Sequence, residues 1–293
     1  MTQASTQREA TPLAPTELRL LPLGTGSILM RGGRSASAYL LESCGQRTLI
    51  DCGPGTLLRL QQALIDPASI DHVVLSHFHP DHHADLLGLL FLRVNPSLEA
   101  KRDLVLHGPP GLARILDAWE SVYGQWVKHP RSQVNEFEPG ATAVGDLRFT
   151  AYRAAHTLPA YCYRIEVVER GAAHERGPTL AYSGDSAICD EVVAACLDVD
   201  FAWLECSFPD EASDDAKHGH MTPRDLVEVA ERARPKRIAA THFYPPMFAL
   251  LADEERRRAA FAAIATRVEF LQDLVPLVVA STAEAGEREE GSP

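Results

Sequence analysis

The stretch LSHFHPDHHADLLGLL, from Leu75 to Leu90, holds four of the chain's twelve histidines, all between His77 and His83, with Asp81 among them. His77 and His79 lie two apart in what reads as extended chain, so both side chains point to one side. Pro80 ends that segment and presets a turn. Asp81 or His82 then opens a helix through about Arg93, with Leu86, Leu89, Leu90 and Arg93 at helical spacing. The imidazoles thus approach one cleft from two directions, and the leucines anchor the helix that supports them. Two directions suit two metal ions. For a single histidine, a solvated loop or a core imidazole is the plainer reading. H-x-H-x-D-H at a strand–helix junction favours ligation.

Outward from this cluster, the same arrangement repeats. Ile70–Ser76 reads as a strand that delivers the cluster. Leu147–Ala154 leads to His156, Thr179–Ser183 to Gly184 and Asp185, Phe201–Trp203 to Glu205, and Ile238–Thr241 to His242. Each hydrophobic strand carries an imidazole or carboxylate at its carboxyl end. Strand ends along one sheet edge form a rigid platform for ligand-binding loops. His77 and His79 are expected to take one ion with His156. Asp81 and His82 take the other with His242, and Asp185 offers two oxygens to bridge them. This donor set suits zinc, and also manganese or iron. His83 has no place in the pattern and reads as surface. His72, His107, His129, His174 and His218 read as structural or exposed.

Elsewhere Leu18–Leu23 reads as a strand, and Ala38–Glu42 with Arg47–Asp51 as a hairpin around SCGQ. Helices are expected at Thr56–Leu64 and Leu112–Tyr123, and a strand at Tyr161–Val168. A helix begins with Thr222 as its cap, Pro223 at the first position and Asp225 at the third. A charged amphipathic helix is expected over Ala252–Thr266. Strands and helices alternate, hairpins are present, and no linker divides the chain. The layout predicts one α/β domain over residues 17–280, with two mixed sheets packed face to face and helices outside. Residues 1–16 and 281–293 are polar or acidic and are expected to be disordered.

At 293 residues and 45% hydrophobic content, the chain suffices for one large domain or two small ones. Its formal net charge of -12 weighs against extended contact with a nucleic-acid backbone. Six cysteines without CxxC spacing read as reduced core thiols of a cytoplasmic protein. MTQASTQREATPLAP has no apolar core of a secretory signal, and no apolar run is long enough for a membrane span. GTGSIL lacks the third glycine of a dinucleotide fingerprint, and neither a P-loop lysine nor a G-x-S-x-G elbow is present. Arg232–Arg237 (RARPKR) reads as a solvated, dipole-favoured helix end. Arg31 and Arg34 flank a glycine-rich loop and are placed either to contact an anionic substrate or to lie in solvent.

SHFHPDHH, RAAHT at His156, YSGDS at Asp185 and ATHF at His242 together resemble the metallo-β-lactamase superfamily over roughly Leu20 to His242. The resemblance implies a four-layer αββα sandwich with a dimetal site on one edge, where hydroxide held by the ions attacks the substrate. Asp51 in LIDCGPG matches a supporting aspartate of that superfamily; a capping carboxylate for the GPG turn is an equal reading. HGHMTPRDLVEVA, LECSF, LGTGS, IDCGPGT and LHGPPG are similar to the ribonuclease Z branch. There a glutamate orients an extra histidine that assists at the scissile phosphate. Carried over, Glu205 would hold His220, and His220 would protonate the leaving oxygen or steady phosphoryl charge. Asp81, His220 and Glu205 are thus the catalytic candidates.

Members that process tRNA carry a long arm between the segments of His156 and Asp185, for which RIEVVERGAAHERGPTLAYSG leaves no room. Arm loss and acidity together favour a small phosphodiester as substrate. Hydrolysis of a lactone, thioester or sulfate ester at the same metals is the alternative, followed by iron-dependent redox chemistry. The family resemblance also implies a homodimer.

Overall fold

The computed structural model describes residues 17–95, 102–128, 131–168, 177–264 and 267–281. The strands in chain order are β1 (Glu17–Gly24), β2 (Ala38–Ser43), β3 (Gln46–Ile50), β4 (His72–Val74), β5 (Leu104–Gly108), β6 (Ser132–Glu136) and β7 (Gly140–Val144). They continue with β8 (Leu147–Arg153), β9 (Tyr161–Val167), β10 (Thr179–Tyr182), β11 (Phe201–Glu205), β12 (Ile238–Thr241), β13 (Val268–Phe270) and β14 (Leu277–Ala280). They form two seven-stranded sheets, ordered β14-β1-β2-β3-β4-β5-β6 and β13-β12-β11-β10-β9-β8-β7. Both are mixed. β3 to β6 run parallel, as do β10 to β13, while the remaining pairs are antiparallel.

The layering follows from strand alternation. In β11, Phe201 and Trp203 face the core between the sheets, whereas Ala202 and Leu204 face the outer helices. In β2, Tyr39 and Leu41 point inward, whereas Ala38 and Leu40 point outward. Both faces of these strands are covered, which is why they read as nearly continuous apolar runs. Outside the first sheet lie α1 (Thr56–Gln62), α2 (Pro80–Arg93) and α3 (Leu112–Tyr123), through Leu60, Leu86, Leu89, Leu90 and Leu112. Outside the second lie α4 (Asp190–Cys196), α6 (Pro223–Ala233) and α7 (Phe248–Ala252), through Val192, Leu226, Val229 and Leu250. Two further helices are short, α5 (Asp214–Lys217) and α8 (Glu254–Ala260). The architecture is the expected four-layer αββα sandwich.

Some local expectations need correction. α2 begins at Pro80, with His79 as its cap, because proline at the first helical position sacrifices no intrahelical bond. The helix expected over Ala252–Thr266 is split. Asp253 adopts an extended backbone and accepts a bond from Arg256 N–H, capping α8, which ends at Ala260. Cys44 sits exposed in the β2–β3 turn rather than in the core. Among the described residues, no helix is long and apolar enough to cross a membrane. The expectations for residues 1–16, 282–293, His129 and His174 lie outside the described residues.

Candidate metal centre

The carboxyl ends of β4, β10, β11 and β12 meet at one edge of the sandwich. Ligand atoms of His77, His79, His156 and Asp185 lie within 4.8 Å of one another there, as do those of Asp81, His82 and His242. These are the groupings expected from the chain. Asp185 stands between them. Its Oδ2 is 3.9 Å from His77 Nε2, and its Oδ1 is 3.2 Å from His82 Nε2 and 3.5 Å from His242 Nε2. His242 Nε2 lies 3.6 Å from Asp81 Oδ2.

Hydrogen bonds decide which nitrogen of each imidazole is free. His82 Nδ1 donates to Asp51 at 2.8 Å, and His156 Nδ1 donates to the Gly219 carbonyl at 2.9 Å. Ser76 Oγ donates to Asp51 at 2.9 Å, so His77 Nδ1, 3.0 Å away, must donate to Ser76. Ser207 Oγ donates to Glu205 Oε2, so His242 Nδ1, 2.9 Å away, must donate to Ser207. With Nδ1 so engaged, all four residues turn Nε2 inward. His79 Nδ1 lies 3.1 Å from His77 Nε2 and 3.0 Å from His156 Nε2. Such crowding of acceptors calls for a cation.

Burial opposes the charged form of His82, but Asp185 and Asp51 outweigh it and raise its pKa well above the ordinary value, so it would release a proton on taking a cation. Burial, reinforced by neighbouring imidazoles, holds His77 well below its ordinary pKa and also lowers His79 and His156, so all three are neutral donors. Burial opposes ionisation of Asp185, but His242, His82 and His77 outweigh it and hold the carboxyl well below the usual range. Burial likewise opposes the charge on Asp81, and the bond and charge of His242 with that of His82 overcome it. Asp185 Oδ1 is buried and makes no hydrogen bond, despite His82 Nε2 nearby. That orphaned oxygen, among converging imidazole nitrogens, fits a divalent ion on either side.

The supporting frame strains the backbone. Asp51 and His242 adopt left-handed φ values of 54° and 57°, rare for residues with side chains. Asp51 is fully buried and also accepts from Ser76 N–H at 2.7 Å and Tyr182 O–H at 2.7 Å. It therefore couples β3, the histidine loop and β10, which favours the supporting role over a turn cap. Gly184, before Asp185, has φ 55°, and a Cβ there would meet Ser76 Cβ at 2.9 Å. A Cβ on Gly219 would meet His156 Nδ1 at 2.8 Å.

Beside the cluster, His220 Nδ1 is 3.0 Å from Glu205 Oε1 and 4.0 Å from Asp185 Oδ2. Burial disfavours imidazolium, but the Glu205 carboxylate prevails and raises His220 to about 9. Ser186 N–H also donates to Glu205 Oε1, at 2.8 Å. Thr222 caps α6, with Asp225 accepting from both its N–H and hydroxyl. His83 is half-buried and stacks on Trp119 at 5.9 Å, rather than lying free on the surface. Arg34 turns inward, donating to Thr25 and, at 2.6 Å, to the Leu271 carbonyl, so it does not reach toward a substrate. Ser76, Tyr182 and Ser207 were not foreseen. Each is a lone hydroxyl, and only S-H in LSHFH and S-F in LECSF marked the places.

The chain belongs to the Beta-lactamase superfamily domain family, whose profile matches residues 46–243. Among its relatives, it is 28% identical to ribonuclease BN of Cronobacter sakazakii, covering 77% of this chain and 89% of that protein. Two solved structures share the fold. One is a metallo-beta-lactamase fold protein from Bacillus subtilis, with TM-score 0.73, 20% identity and coverage of 90% and 99% of the two chains. The other is the short form of human tRNase Z, with TM-score 0.68, 24% identity and coverage of 88% and 98%. The protein is thus a metallo-β-lactamase-fold metallohydrolase related to ribonucleases Z and BN, with a His/Asp cluster suited to two metal ions.

Proposed function

We propose that this enzyme is a phosphodiesterase that hydrolyses a small phosphodiester, with zinc as the metal. The observation that carries the reading is His220, held by Glu205 at 3.0 Å on the rim of the cluster. A protonated imidazole there supplies the proton that a departing alkoxide needs. Hydrolysis of a thioester makes less demand on such an acid, because a thiolate leaves more readily than an alkoxide.

His77, His79, His156, Asp185, Asp81, His82 and His242 would hold two divalent ions, which would lower the pKa of water toward neutrality and polarise the ester. The protein's own residues do the rest. Asp81, ionised at neutral pH, accepts the proton that water gives up in becoming the nucleophile. His220 donates its proton to the leaving oxygen, and Glu205 keeps that imidazole charged and oriented. Ser207 ties Glu205 to His242, so acid and ligand move as one unit. The connection between β9 and β10 spans only residues 168 to 178, which supports a small substrate over one needing a tRNA-binding arm.

Metal analysis of the purified protein, paired with assays on bis-p-nitrophenyl phosphate, cyclic nucleotides, a lactone, a thioester and a sulfate ester, tests the reading. Turnover of the phosphodiesters is expected with about two zinc ions bound. His220→Ala is expected to keep its metal and lose roughly 10²- to 10⁴-fold in kcat on cyclic nucleotides, whose leaving group is an alkoxide. Lactone or thioester turnover without phosphodiester turnover would overturn the assignment, as would bound iron with no hydrolysis.

A further inference from the structure

We propose that the mouth of the metal centre seats a planar aromatic group of the substrate, stacked on the Phe208–Tyr244 pair beside His220. The inference rests on the phosphodiesterase reading and names the substrate class of that same site.

The two rings arrive from the strands that build the centre. Phe208 follows Glu205 by three residues, and Tyr244 follows His242 by two. They stack on each other with centroids 4.7 Å apart and planes at 23°. Both meet His220 edge-on at 5.7 Å, and Tyr244 meets His242 at 5.5 Å. A group bonded to the oxygen beside His220 therefore lies against these rings. Both are only half-buried, which leaves aromatic surface for a ligand. The Tyr244 hydroxyl makes no hydrogen bond among the described residues, so it is free to reach a polar atom on that group.

A neighbouring loop is unusual for a surface segment. Ile28, Leu29 and Met30 are consecutive and 46%, 53% and 52% exposed. Three adjacent apolar side chains held in water are unfavourable unless something covers them. The loop leaves the body next to the platform: Phe243 N–H donates to the Thr25 carbonyl at 3.0 Å, and Gly26 bridges Phe243. Nearby cations are turned away. Arg34 lies over the Phe243 ring at 4.7 Å, and Arg59 pairs with Asp273 at 3.0 Å. Arg31 remains on the loop, enough for one phosphate but not for the row of charges that a nucleic-acid backbone engages.

Three phosphate monoesters of matched charge test this by calorimetric titration of the metal-loaded protein: methyl, cyclohexylmethyl and benzyl phosphate. Benzyl phosphate is expected to bind about tenfold tighter than methyl phosphate, in the range of ring-on-ring stacking, and tighter than the cyclohexyl compound. Phe208→Ala and Tyr244→Ala should erase the preference while methyl phosphate still binds; Tyr244→Phe should keep it. Equal affinities for all three ligands would overturn the inference, and a cyclohexyl compound as tight as benzyl would overturn its stacking element. The ligand series in the unaltered protein stands even if a variant misfolds. Failure to hydrolyse any phosphodiester would remove the underlying reading. Hydrolysis with no aromatic preference would remove this inference alone.

Discussion

Replacing Glu205 by glutamine removes one charge while keeping the side chain's size. The amide oxygen still accepts from Ser186 N–H, whose present bond is 2.8 Å, so the loop retains its anchor. What disappears is the carboxylate 3.0 Å from His220 Nδ1. Burial already opposes the charged imidazole, and Asp185 at 4.0 Å is the weaker remaining support, so His220 falls from about 9 to its ordinary range or below. At pH 7.5 the protonated fraction then drops from roughly 97% to roughly 10% for an ordinary pKa near 6.5. The expected result is about a tenfold lower kcat at that pH, widening as pH approaches 9 and closing below about pH 6. Bound cations lower the pKa in parent and variant alike, so the separation between the two alkaline limbs is the quantity to read. The assay is kcat on a cyclic nucleotide, whose leaving group is an alkoxide, from pH 5.5 to 9.5, with metal content measured on the same samples. Superimposable alkaline limbs, or a deficit unchanged at pH 5.5, would refute the reasoning. Linkage has the same origin: a raised pKa in the folded state stabilises below about pH 6.5 and is lost as pH rises through about 9. The parent's stability advantage over Glu205→Gln should fade across that window.

Asp51→Asn leaves His82 and Ser76 without their shared anion, and metal affinity is expected to fall roughly 10- to 100-fold in competition with a chelator; unchanged affinity would remove Asp51 from the supporting frame. Asp185→Ala is expected to bind fewer than two ions by elemental analysis, and full occupancy would dismiss the bridge. His107, whose ring meets His72 and Phe137, is driven down to about 3 by burial and then by His72. Its folded pKa lies below the unfolded one, so stability falls as pH drops from about 6.5 towards 3, by about 1.4 kcal/mol per pH unit. Urea titrations of metal-free His107→Leu between pH 4 and 6.5 should show a slope shallower by about that amount, and parallel curves would contradict it.

Much of this was legible because the decisive residues share a pattern. A hydrophobic strand followed by an imidazole or carboxylate is visible at Ser76–His77, Ser183–Asp185 and Thr241–His242, and the fold brings those ends together. Edge strands were harder. SQVNE in β6 and GATAV in β7 lack strong alternation, because each pairs on one side only and lies largely in solvent. The charged helix was overextended because Ala252–Thr266 is periodic throughout. Its break depends on Asp253 acting as an internal cap, and an Asp before two glutamates within a charged run looks like any other helix surface. Tyr182 was invisible as a site residue because its bond to Asp51 joins positions 131 residues apart across two sheets. Arg34 misled for a related reason: its partners, Thr25, Leu271 and Phe243, gather only after folding.

The donor set is divided between the two sheets. His77, His79, Asp81 and His82 follow β4 of the first, whereas His156, Asp185 and His242 follow strands of the second. Neither half owns a complete set, so a nascent chain that has folded only its leading portion has nothing to close around an ion. Metal capture should therefore come late in assembly and act as a clasp across the seam, making chelation loosen the join between the halves before it melts either sheet.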